Sequence, residues 1–448
     1  MVKEKEFYRS LFIVALPAAF QGLISLGVNM LDNLMVGSLG DLTLASVSLA
    51  NQATGLFTFF VNGIGGGAAV LISQYWGKRD FDKIRRIFGV ILRFAAIAAL
   101  LICVLISLFP EQTMRIFTND PEMIQAGIPY LRIVCLSYPL FAVSNTMVVM
   151  LRWMEIVRIG LIISCVSLAA NFCFNSLLIF GLLGFPALGA QGAAIATVIA
   201  RLLELSITAY YLFVREKRVR FRLKDFFTHD REMAGDFLRH SVPIIVGDSQ
   251  WGLIGTAKAM MIGRLGVTMV SANAIADVFL SLALIFTNGL ANGACVVIGK
   301  SVGEKDYAKT RRYSNTIQII FAGLGVLVAG VVLLMSLFVP NFYNVSQQTK
   351  DLAATFLVIG AFTHLGTCYH AACFTGINRG AGDGKFVMKV DMICGWLVVV
   401  PLTFLSGFIW HWPLWAVYLC TRIDQCFKWI IAIIRLKGNR WIRNVTRD

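Results

Sequence analysis

Of the chain's 448 residues, 57% are hydrophobic and 15% charged, against about 25% charged in an average soluble domain. The apolar residues come in runs of about twenty or more, longer than a soluble core requires. This excludes an ordinary soluble enzyme, and the formal net charge of +15 needs no nucleic acid to explain it once the placement of Lys and Arg is considered.

A helix needs about 20 apolar residues to cross a roughly 30 Å hydrocarbon layer, because lipid offers no partner to an open backbone group. Twelve segments qualify, near 11–36, 46–75, 88–109, 126–150, 159–182, 190–214, 239–262, 272–299, 314–338, 353–376, 387–409 and 413–435. The expected fold class is all-α and integral to a membrane, with little chain left for a soluble domain. Of the forty Lys and Arg, 31 fall in alternate connections beginning with the N-terminus and only three, Arg115, Arg264 and Lys350, in the opposite ones. The other six, Arg93, Arg132, Arg201, Lys258, Arg422 and Lys428, lie inside or at the ends of spans. Cationic loops stay in the cytoplasm, so both termini are expected there, in the cytoplasmic (inner) membrane of a bacterium or archaeon. Residues 11–36 are too long for the apolar core of a signal peptide and lack a bounding cleavage site, so they are expected to persist as the first helix. The ten Cys show no CxxC and no metal spacing with His, which predicts packing residues and neither disulfides nor a metal centre.

Along the chain, the first helix carries Gln21, Ser25, Asn29 and Asp32 at helical spacing, a polar stripe that a lipid-facing helix would not have. The same spacing recurs in Asn51, Gly55, Thr58 and Asn62, in Ser164, Ser167, Asn171 and Asn175, and in Asp277, Ser281, Asn288 and Asn292. These stripes predict a shared wet cavity, or helices glued by hydrogen bonds worth under about 1 kcal/mol each. A carboxylate at membrane depth costs at least about 2.5 kcal/mol and is retained for ion or substrate handling. Six acids meet this description: Asp32, Glu204, Asp248, Asp277, Asp391 and Asp424. Asp32 leads, being on the stripe near the outer end of its helix. Glu204 follows Arg201 by three residues, the geometry of a local pair. In the seventh span Asp248 shares a face with Trp251, Gly255 and Lys258, so an acid, an aromatic plate and a base suit a cationic or aromatic ligand. About 15 Å of helix rise separates Asp248 from Lys258, too far for a direct pair. His364 and His370 in the tenth span are candidate proton carriers or cavity-lining groups. Asp391 and Asp424, the latter beside Arg422, are open to structural ion pairing as well as to function.

Shifting the sequence by 226 residues aligns Met35–Arg86 with Met261–Arg312 without a gap, and 18 of the 52 positions are identical. Among them are Gly37/Gly263, Asn62/Asn288, Gly77/Gly303, Asp80/Asp306 and Arg85-Arg86/Arg311-Arg312; Pro17 and Pro243 share the offset, and Lys258 takes the place of Asp32. Six spans per half make the repeat parallel, so a substrate site is expected between the halves near the midplane. The domains are then 1–214 as an N-terminal six-helix lobe, 215–238 as a basic cytoplasmic linker, and 239–448 as a C-terminal six-helix lobe with a short tail. The linker mixes charge with Phe221, Phe226 and Phe227, as an interfacial helix or a solvated tether would.

Met35-Val36-Gly37 with Leu39-Gly40, Gly77-Lys78-Arg79-Asp80, Asn171 to Asn175 followed by Ile179-Phe180-Gly181, Gly189 to Thr197, and Arg379-Gly380-Ala381-Gly382-Asp383-Gly384-Lys385 together resemble the multidrug and toxic compound extrusion (MATE) family over nearly the whole chain. The resemblance implies two pseudo-symmetric six-helix lobes in a V, alternating access, and export of amphiphilic, often cationic compounds against inward proton or sodium flow. It also implies coupling-ion binding at Asp32, Asn171 and Asn175, with a possible sodium there, although the pattern's second acid is missing and proton coupling through Asp32 is the slight preference. Asp248 and Trp251 resemble a Glu and Trp of a related subfamily, whereas Lys258 stands where a Tyr is expected. In the first half, Arg152 to Arg158 departs from the loop pattern around Asp383.

The expected function is therefore a cation-coupled exporter of small organic molecules, working as a monomer in the lipid bilayer with no cofactor, no nucleic acid and no obligate protein partner. The nearest alternative is a lipid-linked oligosaccharide flippase, for which Lys258 speaks. A membrane-embedded transferase would need a DxxD or HxxxxD pattern, and a direct ATP hydrolase a Walker A loop; none occurs.

Overall fold

The computed structural model describes residues 2–228, 230–343, 345–438 and 440–447, the Leu223 side chain excepted. Its elements are helices: α1 Lys5–Gly37, α2 Asp41–Lys78, α3 Phe81–Leu108, α4 Pro110–Arg115, α5 Pro121–Val134, α6 Ser137–Trp153, α7 Arg158–Phe180, α8 Ala190–Tyr210, α9 Leu223–Phe227, α10 Arg231–Gly263, α11 Val267–Gly303, α12 Tyr307–Phe338, α13 Gln347–Ala371, α14 Gly384–Met392, α15 Val400–Phe404, α16 Leu414–Cys420 and α17 Lys428–Lys437. No strand occurs among the described residues. The protein is an all-α membrane protein, as its composition requires.

Nine helical spans among the described residues are long and apolar enough to cross a membrane, and the pair α5 and α6, bent by 49° at a short break, makes a tenth. The two remaining expected segments are helical but depart from a simple apolar rod. Helix α10 is continuous yet interrupted in its apolar character by Asp248 and Lys258. The last segment divides into α16, a tight 3-10 turn at Ile423–Cys426, and α17. Backbone breaks at membrane depth are tolerated where protein or a water-filled cavity receives the freed groups. On α3, Ile97, Leu101, Leu105 and Leu108 are 56–66% exposed along one face, and on α12 Leu327, Leu334, Leu337 and Phe338 are equally so. Apolar surface of that extent belongs against lipid.

The repeat is carried into backbone detail. Helices α1 and α10 begin and end 226 residues apart, at Lys5/Arg231 and Gly37/Gly263. Asp80 caps α3 by accepting from the Lys83 amide at 3.1 Å, and Asp306 caps α12 by accepting from the Lys309 amide at 2.9 Å. Their dihedrals coincide, φ −89° and ψ 80° against φ −92° and ψ 81°. An Asp there satisfies one of the open amides of the first turn.

Cα packing divides the chain into two compact units. One comprises Met1–Ala19, Ala69–Arg79 and Val246–Asp448; the other comprises Phe20–Ala68 and Asp80–Ile245. The divisions at Ala19 and Ile245 are themselves 226 residues apart, each two residues beyond a proline, Pro17 or Pro243. In the first unit Phe7, Leu11 and Ala15 of α1 join Ala291, Ala294, Ile298, Ile317 and Phe321 in one core. Within this unit Gly77 of α2 lies against the carbonyl of Lys300, while Gly303 of α11 lies against the carbonyl of Gln74. Both pairs are related by the 226-residue shift, so the ends of α2 and α11 meet reciprocally, backbone on backbone. In the second unit Val36, Val47, Met114, Leu131, Val134 and Ile179 form the main core, and Phe57 stacks on Tyr138 at 4.2 Å between centroids.

Candidate ion and substrate sites within the spans

In the unit built from Phe20–Ala68 and Asp80–Ile245, α1 and α7 bring the leading candidates together. Asn171 and Asn175 are one turn apart on the buried face of α7, and the Asn175 amide nitrogen donates to Asn171 Oδ1 at 2.8 Å and to Asp32 Oδ1 at 2.5 Å. Both hydrogens of that amide are thereby used, and its carbonyl oxygen, Oδ1, is buried with no hydrogen-bond partner. The cluster thus joins a half-buried carboxylate to a buried amide oxygen with spare lone pairs, the donor chemistry that a proton or a small hard cation requires.

The other candidates of this unit have partners of their own. Asn51 accepts from the Tyr130 hydroxyl at 3.0 Å. Gln21 is buried and receives Arg152 at 2.5 Å, while Ser25 and Asn29 of the same stripe are exposed. Glu204 is bound by Arg201 at 2.8 Å, and the Arg201 guanidinium lies 4.5 Å from the Phe141 ring centroid.

The other unit holds a chain of charges. Lys428, at 3% side-chain exposure, is clamped between Asp424 at 2.7 Å and Asp391 at 3.0 Å. Gln425 donates to Asp424 at 2.9 Å and accepts from Thr367 at 3.0 Å and His370 Nε2 at 2.5 Å. Arg422 donates to Thr363, Lys258 reaches the carbonyl of Thr421 at 3.5 Å, and Asp277 accepts from Asn273 at 2.7 Å. His364 Nε2 meets Thr287 at 3.3 Å. The ring nitrogens Nδ1 of both histidines are buried without a hydrogen-bond partner.

Asp248 is not held open for a ligand as its helix face suggests, for Arg379 forms a two-pronged pair with it at 2.7 and 3.3 Å. Trp251, one turn on, is 51% exposed. Sequence reasoning missed Arg379, Lys428, Gln425, Arg152 and Tyr130 as partners. A signal existed for Lys428, an intramembrane base four residues after Asp424 and hence on the same helix face; none existed for Arg379, which lies 131 residues from Asp248. All ten cysteines are free, and among the described residues no three His, Cys, Asp or Glu side chains converge as a metal-ion site.

A duplicated helical bundle with apolar outer faces and charged groups held inside its spans is the build of a membrane transporter. The chain belongs to the MATE family: the MatE family model matches residues 17–177 and 243–405, and the two matches begin at the repeat-related prolines. Relatives span almost the full length. The "Uncharacterized transporter YisQ" of Bacillus subtilis (strain 168) is 22% identical over 437 residues, 97% of this chain and 95% of that protein. The "Probable multidrug resistance protein NorM" of Rhizobium meliloti (strain 1021) is 28% identical over 426 residues, 90% of this chain and 89% of that protein. The Vibrio cholerae MATE transporter VcmN in its bent form shares the fold at a TM-score of 0.84, with 16% identity over 98% of this chain and 99% of that one. A MOP superfamily transporter from Pyrococcus furiosus does so at 0.84, with 19% identity over 96% and 95%.

Proposed function

We propose that this chain is a secondary active efflux transporter that exports small amphiphilic, cationic organic compounds in exchange for protons or sodium by alternating access. The observation that carries the reading is the Asp32, Asn171 and Asn175 cluster, in which a carboxylate at membrane depth faces an amide whose oxygen is buried and unpartnered. A carboxylate left there without an ion-handling role would cost at least about 2.5 kcal/mol. In this reading Asp32 carries the exchangeable charge, and Asn175 holds it in register through its amide and supplies a second oxygen to the ion. The relatives' names as multidrug resistance proteins support the class of cargo. The transporter works as a monomer in the cytoplasmic membrane, with both termini in the cytoplasm.

The alternative of a flippase for lipid-linked oligosaccharides calls for an excess of cations to receive phosphates. Within the spans of the unit that holds Lys258, the cations Lys258, Arg422 and Lys428 are matched by Asp277, Asp391 and Asp424, which favours the exporter reading. The test is efflux of a fluorescent organic cation from proteoliposomes under separately imposed proton and sodium gradients, wild type against Asp32→Asn. Gradient-driven efflux that the substitution abolishes supports coupling through Asp32; absence of efflux from the wild type under either gradient overturns the exporter reading.

A further inference from the structure

We propose that the linker between α8 and α10 is a binding site for the phosphodiester headgroup of an anionic phospholipid. The inference rests on the membrane fold and not on the transport reading. Between Arg215 and Lys224 stand six cations, Arg215, Lys217, Arg218, Arg220, Arg222 and Lys224, and every one is exposed. Their clustering could be nothing more than the bias of cytoplasmic loops toward Lys and Arg. Three structural observations go further.

First, the segment is fastened and shaped. Val219 and Phe221 are 2% and 6% exposed and turn inward, so the alternating Arg220 and Arg222 turn out. Phe221 packs on Phe88 of α3 at 4.3 Å between centroids, and Arg85 reaches the Val219 carbonyl at 3.5 Å. Gly89 lets the backbone of Asp225 sit directly on α3, where a Cβ has no room. A cavity of about 440 Å³ results, lined by Arg85, Arg86, Arg222, Lys224 and Thr228 together with acids.

Second, two of the three acids that line the cavity are paired with its inner cations, Arg85 and Arg86, and the outer cations are not paired. Asp82 is bonded by Arg85, and Asp230 receives Arg86 at 3.5 Å and the Met233 amide at 3.0 Å. Asp225 accepts from the Arg222 amide at 2.9 Å. Buried Glu216 is held by the amides of Arg218, Val219 and Arg220 at 2.8–3.1 Å. Among the described residues neither Arg222 nor Lys224 forms an ion pair, so one guanidinium and one ammonium group lie at the cavity rim where an anion can reach them. Planar guanidinium and phosphate oxygens match in charge and in fork geometry.

Third, an apolar anchor adjoins the cations. Phe227 of α9 is 75% exposed beside its edge-on neighbour Phe226, 5.2 Å away between centroids. An aromatic ring is stable at the headgroup boundary, where one side meets acyl chains and the other the polar zone. A free phosphate would use the cations and leave Phe227 bare; a phospholipid uses both.

Native mass spectrometry of the full-length protein in detergent micelles, with phosphatidylglycerol or phosphatidylcholine added, tests the site. Phosphatidylglycerol is expected to be retained in preference to phosphatidylcholine and to survive excess inorganic phosphate. Near an anionic surface each Lys or Arg contributes enough that the Arg222→Ser/Lys224→Ser variant should bind it roughly thirtyfold more weakly. The Lys385→Ser/Lys389→Ser variant, which removes the same charge from two exposed side chains of α14, should retain wild-type binding. Equal losses in the two variants, indifference to headgroup, or full displacement by phosphate would each overturn the proposal. Lys224→Ser alone, at an exposed side chain without an ion pair, keeps the test decisive if the double variant misfolds.

Discussion

Asn175 donates to Asp32 at 2.5 Å across α7 and α1 while its own carbonyl oxygen, fully buried, bonds to nothing. An amide that spends both hydrogens and keeps its oxygen open is poised to recognise whatever neutralises the carboxylate. Asn175→Ala removes a hydrogen bond to a charged acceptor, worth about 1.5–3 kcal/mol. Coupled efflux in proteoliposomes should fall roughly tenfold or more, while the thermal midpoint of the purified protein falls by only a few degrees. Wild-type efflux in this variant would dissociate Asn175 from coupling.

Removing Lys428 should be the most damaging single change to the charged chain. Its ammonium, 3% exposed, is the shared counter-ion of Asp391 and Asp424, and Lys428→Met leaves two carboxylates uncompensated. Breaking a buried pair costs about 3–5 kcal/mol, so the unfolding midpoint of the detergent-solubilised protein should drop sharply. Adding Asp391→Asn to that variant should restore part of the loss, since one of the stranded charges is gone.

The pair of Asp248 with Arg379 is more accessible, with side chains 25% and 15% exposed, and solvent screens part of it. Asp248→Ala should therefore cost less, about 2 kcal/mol, chiefly by stranding the guanidinium. A double-mutant cycle with Arg379→Ala should show the double variant more stable than the sum of the singles predicts. Additive losses would mean that the contact contributes nothing to stability.

Gly77→Ala and Gly303→Ala should behave alike, because each Cβ would strike the backbone carbonyl of the other helix, at Lys300 and Gln74 respectively. Backbone cannot swing aside as a side chain can, so each substitution should cost about 1–3 kcal/mol or push α2 and α11 apart. Thermal unfolding measures the first and a cysteine-crosslinking series along the two helix ends the second. A neutral outcome at one position with a large loss at the other would show that the repeat is not energetically symmetric there.

What the sequence determined by itself was whatever local chemistry and repetition carry. Apolar run length gave the spans, because lipid forces every backbone group into a helix. The 226-residue shift exposed the duplication, and the Asp80 and Asp306 caps follow from the residue type that a helix start demands. The spacing of Arg201 before Glu204 and of Asn171 before Asn175 put each pair on one helix face, since contact at three or four residues is a property of the helix alone. Only the tertiary structure decided which of these faces meet. It brought Asn175 to Asp32 across 143 residues and Arg379 to Asp248 across 131, and it broke the last span beside Lys428. It also assigned the start of α1 to the core that Ala291 and Phe321 complete. Such pairings are set by the packing of whole helices against one another, a long-range balance of shape and charge that no short stretch of chain encodes.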